Sequence, residues 1–392
     1  MSMHVQTKSR RLTGLDATRA LAILGMFAAH IFDLFALDNS GILSPTFTGA
    51  TANGRASVLF MVLAGVSLTL FARSLQRKGL SRKASVGVLV RRALVIAVLG
   101  LLIGPVNESI ANILVHYGLL FLLLIPALYL PARALWVLSV FWLVIAPLAW
   151  RPLAAAGAAQ SLGHNPTFTD FAHPGLLLAD LLVTGYYPLL IWIGFGLLGV
   201  AVGKLPLSQK KTVAWMGAGA VVIAALSLLI GWLKILPWIT AVGTVAGIPR
   251  SQIFTAMVTG RSPSGNLDRF LSESSYIWLP TAHSGSMIFT IHAAACALAL
   301  LAILLLVTPH LGYAGALLAA AGRAPLTLYI GHLVLLPLLQ VGLSAWVQWW
   351  TLCVLMLLAA LILHHSGKAG PLEAGVRYLS ILPTDEKNSD PK

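Results

Sequence analysis

Long apolar segments separated by short polar stretches make up most of the chain. A helix needs about 20 residues to cross the hydrocarbon core of a bilayer, and ten apolar segments come close to or exceed that length. The pattern therefore predicts an all-α fold, a polytopic integral membrane bundle of about ten transmembrane helices. The predicted segments are 15–37, 54–73, 86–105, 111–130, 134–150, 176–203, 212–233, 283–307, 324–345 and 347–364.

The composition favours a membrane protein and argues against a nucleic-acid-binding one. Of the 392 residues, 58% are hydrophobic and only 10% are charged, and the mean hydropathy is +0.87. Soluble domains average about 25% charged residues. The net charge of +14 comes without zinc-finger spacing, a basic helix or an RNA-binding aromatic motif, so we expect no nucleic-acid partner. Cys296 and Cys353 lie in apolar segments, where they are expected to be packing residues.

The basic residues are sorted by side of the membrane. With the N-terminus in the cytoplasm, 20 of the 26 Lys and Arg residues are cytoplasmic, seven of them in the loop 73–92. This distribution obeys the positive-inside rule and predicts a multi-pass protein of the plasma membrane with both termini in the cytoplasm. The predicted outer loops are 38–53, 151–175 and 234–282, and the predicted parts are a cytoplasmic segment 1–14, a membrane domain 15–366 and a cytoplasmic tail 367–392.

The first apolar segment carries ionisable residues, which are costly at membrane depth and usually face the protein interior. Arg19 and His30 are eleven positions apart, so at about 100° per residue they share one helix face, about 16 Å apart along the axis. Asp16 precedes Arg19 by three positions and can pair with it. His30 is suited to take a proton from a hydroxyl or amine, and Arg19 to hold a phosphate or carboxylate.

A structural role for the same three residues is the alternative. Asp16 and Arg19 would then form an ion pair at the membrane boundary, and His30 would be a hydrogen-bonded packing residue. From these residues alone, the two interpretations are about equally favoured.

Five segments, in order along the chain, resemble the transmembrane acyltransferase superfamily. That group includes bacterial O-acyltransferases of surface polysaccharides, the heparan-glucosaminide N-acetyltransferases and the YeiB-like bacterial membrane proteins. An Arg followed by ten residues and a His in the first span is typical of the polysaccharide branch, and Arg19 and His30 match it. The segments are 15–26, 55–67, 184–194, 322–329 and 370–377, the last four being closer to the heparan and YeiB-like branches.

The chain departs from the heparan branch at one position. That branch carries its key histidine in the loop after the first span, whereas no His lies between Asp33 and Arg55 here. His30 stands instead where that branch has an asparagine. The resemblance therefore favours His30 as a general base over a covalent acetyl-histidine step.

The resemblance implies an acyltransferase that moves an acyl group, acetyl by expectation, from cytoplasmic acyl-coenzyme A to an extracytoplasmic acceptor. The acceptor would be a sugar, a glycolipid or a cell-envelope polymer, with O- or N-acylation left open. The expected co-substrate is acetyl-coenzyme A, and no metal is expected because no histidine shows ligand spacing with carboxylates. Membrane lipids are the other expected partners, and the oligomeric state stays open, with a homodimer as one option.

Further residues are assigned to the two ends of this transfer. Arg91 and Arg92, predicted at a helix start, and Arg323, at another, would contact the phosphates of coenzyme A. Positive-inside topology and contact with anionic lipids explain any single one of these arginines at least as well. The residues assigned to the acceptor side are His283, Tyr187, Trp192 and Arg55.

A transporter or permease for a small metabolite or lipid-linked sugar is the rival function. Arg19 and His30 would then form a substrate and proton site. The absence of an internal inverted repeat in the sequence counts against that rival.

Overall fold

The computed structural model is almost entirely helical and describes residues 12–37, 43–157, 161–247, 249 and 274–381. The all-α prediction is therefore confirmed. In chain order the elements are α1 (Thr13–Ile31), β1 (Phe35–Leu37), β2 (Leu43–Pro45), α2 (Phe47–Thr51), α3 (Arg55–Arg77), α4 (Arg82–Ile103), α5 (Leu114–Leu124), α6 (Ala132–Gly157), α7 (Pro174–Ala179), α8 (Leu189–Gly203), α9 (Lys210–Ala246), α10 (Met287–Val307), α11 (Gly312–Ala321), α12 (Pro325–Gln340), α13 (Ala345–Ser366) and α14 (Pro371–Ser380). The two strands form one antiparallel pair.

The number of spans in the described part of the chain is lower than predicted. Six helices are long and apolar enough to cross a membrane, and the number rises to eight if each of two bent helix pairs counts as one span. The predicted count of about ten is thus not confirmed. The helix Leu114–Tyr129 is apolar but short, and α1 is made less apolar by Asp16, Arg19 and His30. The six are Phe47–Arg77, Arg82–Val106, Ala132–Gly157, Lys210–Ala246, Met287–His310 and Ala345–Ser366.

Two of the predicted segments belong to bent helix pairs. The predicted segment 176–203 is broken between Pro174–Thr184 and Leu189–Gly203, which meet at 55°. The chain is extended at Gly185, and Pro188 precedes the first residue of α8. Carbonyl oxygens near a break need donors inside a membrane, and Trp150 Nε1 donates to Val183 at 2.7 Å.

The second bent pair contains a helix that the sequence pattern did not predict. The helix α11 meets α12 at 70°, so the predicted segment 324–345 is entered from a short apolar helix instead of a loop. Gly322 and Ala324 lie in the break between them. This break is the part of the fold that later positions the candidate site.

Several predicted boundaries were wrong. The helix predicted over 86–105 begins at Arg82, so Arg91 and Arg92 lie within α4 and not at its start. The helix predicted over 212–233 runs to Ala246 through Pro237, which removes the first part of the predicted loop 234–282. Lys234 in this extension lies 5.8 Å from the ring centre of Trp278 and so gains a partner.

Other predicted boundaries shift or stay open. The predicted loop 151–175 is helical as far as Gly157, and the loop 38–53 contains β2 and α2. Within loop 234–282 and the two predicted terminal parts, residues 248, 250–273, 1–11 and 382–392 lie outside the described residues. The division into 1–14, 15–366 and 367–392 therefore stays a prediction.

The helix α3 lies in the centre of the bundle and packs most closely on α8. A Cβ added at Gly65 would lie 2.2 Å from the Gly196 carbonyl oxygen, and one at Gly199 would lie 2.1 Å from that of Val62. Small residues let helix backbones approach this closely inside a membrane, where packing and not water exclusion holds helices together. The α3–α8 contact therefore depends on glycine at these positions.

The helix α1 is held at its first turns by two similar contacts. A Cβ added at Gly14 would lie 2.5 Å from the Leu304 carbonyl oxygen on α10, and one at Gly322 would lie 1.7 Å from that of Asp16. The start of α1 is thus wedged between α10 and the α11–α12 break. Asp16 itself is buried, 3% exposed.

We expect Gly65→Ala to destabilise the bundle, because the new methyl group would overlap the α8 backbone. Overpacking of this kind costs about 1–3 kcal/mol. The measurement is the midpoint of thermal unfolding in detergent. Gly219→Ala on α9 is the matched control, since a Cβ there meets no atom within 4 Å, and equal midpoints for the two variants would contradict the packing argument.

Candidate functional site

A cavity of about 240 Å³ lies beside the first turns of α1 and is lined by three arginines, Arg19, Arg92 and Arg323. We call it the arginine cavity. Ser67 and the carboxylate of Glu373 also line it, together with apolar and aromatic side chains. The cavity combines positive charge with apolar walls, which suits a molecule that has an anionic part and an uncharged arm.

Arg19 is held in a fixed direction by two side chains. Its guanidinium donates to the carboxylate of Asp16 on the preceding turn, so the structure brings together the pair expected from their spacing. A second donor reaches Ser67 Oγ on α3 at 2.7 Å. Because a guanidinium is a rigid planar fork, two fixed contacts orient its remaining N–H groups toward the cavity.

The other two arginines reach the cavity from α4 and from the α11–α12 break. The Arg92 guanidinium lies 5.2 Å from the ring centre of Phe71. Arg323 donates to the carbonyl oxygen of Leu363, while its Nε is buried and has no hydrogen-bond partner among the described residues. Such an unsatisfied donor indicates room for an acceptor that the protein itself does not supply.

Arg91 does not line the arginine cavity. Its Nε donates to the backbone oxygen of Ser380 at 2.9 Å and so contacts the end of α14. Neighbouring helix positions differ by about 100° in direction, and Arg92 lines the arginine cavity whereas Arg91 does not.

Glu373 links the tail helix α14 to the start of α12. Its carboxylate accepts hydrogen bonds from the backbone N–H groups of Leu326 and Thr327 and from Thr327 Oγ1, the last two at 3.1 and 2.6 Å. The first N–H groups of a helix lack internal partners, and a carboxylate there satisfies them and the helix dipole together. The contact explains why the segments 322–329 and 370–377 lie side by side.

The second feature of the site is a pair of histidines farther along α1. His30 Nδ1 and His332 Nε2, from α1 and α12, are 3.0 Å apart, and the two rings are stacked at 10° with centres 5.3 Å apart. His332 is only 1% exposed, whereas His30 is half-buried. A hydrogen bond between two imidazoles requires one donor and one acceptor nitrogen, so at most one of the two rings is protonated at both nitrogens.

Aromatic rings connect the arginine cavity to the histidine pair. Tyr117 and Phe60 line the cavity, with their ring centres 5.0 Å apart. The Phe60 ring lies 6.2 Å from that of Tyr329, which lies 5.1 Å from the ring of His332. We call Tyr117, Phe60 and Tyr329 the ring column. It occupies the interior between the cationic end and the histidine end of α1.

Three residues assigned to the acceptor side form one aromatic cluster. The rings of Tyr187 and Trp192 are centred 4.9 Å apart, and the His283 ring lies 6.1 and 6.3 Å from them. His283 precedes α10 with a positive φ of 58°, a strained conformation for a residue with a Cβ. Burial lowers the pKa of His283 to about 4, so the ring is neutral at physiological pH. It is close enough to His30 for an electrostatic interaction.

Arg55 lies apart from that cluster. Its guanidinium contacts His292 Nε2 on α10 at 3.2 Å. The adjacent Gly54 packs against Phe289, since a Cβ there would lie 3.1 Å from the ring. Phe289 in turn neighbours His283, with ring centres 6.4 Å apart. Arg55 therefore lies beside the aromatic cluster but does not contact the histidine pair directly.

His332, Ser67 and Glu373 were not assigned to the site from the sequence. His332 follows Tyr329 by three positions, which places both on one face of α12, but its partner is 302 residues away along the chain. Ser67 lies at the end of a segment that carries the resemblance, and Glu373 lies in the segment 370–377. Those segment matches were the available signal for both.

A metal site is not indicated in the part of the chain that the structure describes. No group of three or more His, Cys, Asp or Glu side chains there could hold an ion. The site thus offers a cationic cavity and a histidine pair, which together can bind an anionic group and move a proton.

The family comparison agrees with this chemistry. A family model described as heparan-alpha-glucosaminide N-acetyltransferase, catalytic, matches residues 11–242, more than half of the chain. The matched part contains Asp16, Arg19, His30 and Arg92 and ends before α10. No curated protein matches the chain. The chain belongs to the family of heparan-alpha-glucosaminide N-acetyltransferase catalytic domains and is a multi-pass membrane enzyme of the acetyltransferase type.

Proposed function

We propose that the enzyme transfers an acetyl group from cytoplasmic acetyl-coenzyme A to a hydroxyl or amine of an acceptor on the extracytoplasmic side. The hydrogen-bonded pair of His30 and His332, on the same helix as Arg19, carries this proposal. One end of α1 then holds the anionic donor and the other end supplies the base. The family match supports the acetyl group, and the aromatic cluster of Tyr187, Trp192 and His283 supports a sugar or a glycolipid as the acceptor.

The arginine cavity is the proposed donor site. Arg19, Arg92 and Arg323 would contact the phosphates of coenzyme A. The Nε of Arg323, which has no hydrogen-bond partner among the described residues, would donate to one of the phosphate oxygens. Acetyl-coenzyme A supplies the thioester carbonyl and a thiolate leaving group. The apolar wall of the cavity suits the uncharged arm that joins the nucleotide to the thioester, and this arm would run along the ring column to bring the thioester to His30.

His30 acts as the general base in this mechanism. If His30 Nδ1–H donates to His332 Nε2, then His30 Nε2 carries the free lone pair, and no hydrogen bond from the described residues occupies it. Nε2 takes the proton from the acceptor hydroxyl or amine as the acceptor attacks the thioester carbonyl. His332 fixes the tautomer and ring direction of His30, as an orienting partner does in a catalytic triad.

The orientation in the plasma membrane belongs to the same proposal. With the start of α1 in the cytoplasm, the arginine cavity faces the donor side, and Arg55, Tyr187, Trp192 and His283 face the acceptor side. The charge distribution supports this orientation, since 20 of the 26 basic residues then lie inside.

Cysteine labelling of intact cells tests the orientation. We expect a membrane-impermeant maleimide to label Phe47→Cys, which replaces a side chain that is 84% exposed. Gln76→Cys, exposed at the opposite end of α3, should be labelled only after the membrane is permeabilised. The background lacks Cys296 and Cys353. Labelling of Gln76→Cys but not Phe47→Cys in intact cells would reverse the donor and acceptor sides.

We expect Arg92→Gln to weaken acetyl-coenzyme A binding about tenfold, because one charge-assisted hydrogen bond to phosphate is lost. Calorimetry on the purified protein measures the dissociation constant, and binding should also weaken as salt is raised. Arg77→Gln is the matched control, since Arg77 is exposed and does not line the cavity. An equal effect of both substitutions would show that the arginine cavity is not the donor site.

We expect His30→Gln to lower acetyl transfer by about 10²–10⁴-fold while donor binding persists, because the amide cannot accept the proton. His332→Gln should cause a smaller loss, since the base remains but is poorly oriented. The assay follows labelled acetyl from acetyl-coenzyme A into membrane glycolipids and glycans with purified enzyme.

Arg19→Lys should impair transfer more than Arg77→Lys does, because Lys lacks the planar fork.

Protein amount and thermal unfolding are measured beside activity. Near-normal acetyl transfer by a folded His30→Gln enzyme would show that His30 is a packing residue and not the general base. A wild-type enzyme that transfers no acetyl to any membrane acceptor would refute the proposed function.

A further inference from the structure

Arg55 lies between two apolar cavities on either side of the start of α3. One cavity, of about 290 Å³, is formed with β1, α9 and the loop before α10. The other, of about 380 Å³, is formed with α1, α10 and α13. Among the described residues that line each cavity, Arg55 is the only charged one. A single cation in apolar surroundings near the membrane is costly and points to a ligand.

The protein itself satisfies only part of the Arg55 guanidinium. His292 Nδ1 lies 3.0 Å from the Ala224 carbonyl oxygen and so carries a proton, which leaves Nε2 to accept from Arg55 at 3.2 Å. No carboxylate among the described residues lies within ion-pair distance of Arg55. The Cys296 thiol also forms a hydrogen bond with Arg55, so two of the five N–H donors of the guanidinium have partners in the protein. Several donors are therefore available to an anion with more than one oxygen, such as a phosphate.

The walls of the two cavities suit hydrocarbon. Leu228, Trp232 and Ile235 line the first, and Leu24, Leu300 and Trp349 line the second. Leu24 and Trp349 are half-buried, so the second cavity is open to the surface of the bundle. An occupant would thus have an anionic head beside Arg55 and an apolar tail along the helices.

The position of Arg55 along the axis of α1 is close to that of the histidine pair. Gly25 on α1 packs on Ala56, since a Cβ added at Gly25 would lie only 3.0 Å from the Cβ of Ala56. His30 lies five residues beyond Gly25, about 7.5 Å along the helix. A head group held by Arg55 therefore lies at the same end of α1 as His30.

We propose that Arg55 holds the phosphate of a lipid, and that the acceptor sugar is presented to His30 as the head group of this phosphate-bearing lipid. The lipid tail would lie in the cavity between α1, α10 and α13. This inference rests on the proposed function and narrows its acceptor to one substrate class. The site matches such a lipid in charge and polarity. Arg55 matches the phosphate, the apolar cavity walls match the tail, and no carboxylate among the described residues competes for Arg55.

Native mass spectrometry of the purified enzyme tests the binding without any acetyl donor. The probes are dioleoyl phosphatidic acid and dioleoylglycerol, which differ only in the phosphate. We expect the wild type to retain the phosphatidic acid about tenfold more strongly than the diacylglycerol, as expected for a charge-assisted bond. Equal retention, or displacement of the lipid by inorganic phosphate at the same concentration, would overturn the proposal.

Two variants and a control locate the site. Arg55→Gln should abolish the preference for the phosphate, and Arg55→Lys should keep part of it. Lys234→Gln is the matched control, because Lys234 is an exposed cation on the same side that lines neither cavity. A preference that survives in Arg55→Gln or is lost in Lys234→Gln would contradict the assignment.

A third variant covers the case in which Arg55→Gln does not fold. Leu300→Trp fills the second cavity while Arg55 is kept, and it should reduce retention of both lipids. Retention that is unaffected would contradict the placement of the tail. His30→Gln should bind the phosphatidic acid normally. Failure of lipid binding with persistent acetyl transfer would overturn only this inference, whereas binding without any transfer would refute the proposed function instead.

Discussion

The approach of the α11–α12 break to the first turn of α1 determines the geometry of the whole site. The carbonyl oxygen of Asp16 occupies the space where a Cβ of Gly322 would lie, 1.7 Å away. Farther along, His30 on α1 meets His332 on α12 at 3.0 Å. These two contacts make α12 run beside α1 in the same direction. Arg19 and Arg323 consequently meet at one end of the pair and the two histidines at the other.

The position of α12 is supported by polar contacts, and in a membrane interior such contacts are required because backbone groups there have no water to bind. The N–H groups at its start are satisfied by Glu373 from α14, and the break before it is tied to α13 through Arg323 and the Leu363 carbonyl oxygen. An unsatisfied backbone group in an apolar environment costs several kcal/mol. The tail helix is thus part of the support of the site, although it contributes no atom to the histidine pair.

Helical periodicity and charge were enough to predict the membrane bundle, the Asp16–Arg19 pair and the shared face of Arg19 and His30, because all three depend on residues close in sequence. The pairing of His30 with His332 depends on which helices become neighbours, and apolar segments carry little information about that. Arg91 and Arg92 looked equivalent in sequence, yet about 100° of helix rotation separates them. The break near Gly185 was missed because the chain stays apolar on both sides of it, and α11 was missed because its ten residues are too few to cross a membrane.

In the proposed mechanism, the histidine pair also explains how a base can be kept in the membrane interior without a permanent charge. A His–carboxylate pair would place an anion among apolar helices, where desolvation is expensive. Two imidazoles that share one hydrogen bond can both be neutral at rest, with His332 accepting from His30. A positive charge would then arise only while His30 holds the proton of the acceptor. The permanent charges proposed to hold the donor, on Arg19, Arg92 and Arg323, lie at the other end of α1. The ring column of Tyr117, Phe60 and Tyr329 lies between these charges and the histidines, so in the proposed mechanism the phosphates of the donor are bound and the proton is transferred in different electrostatic environments along one helix.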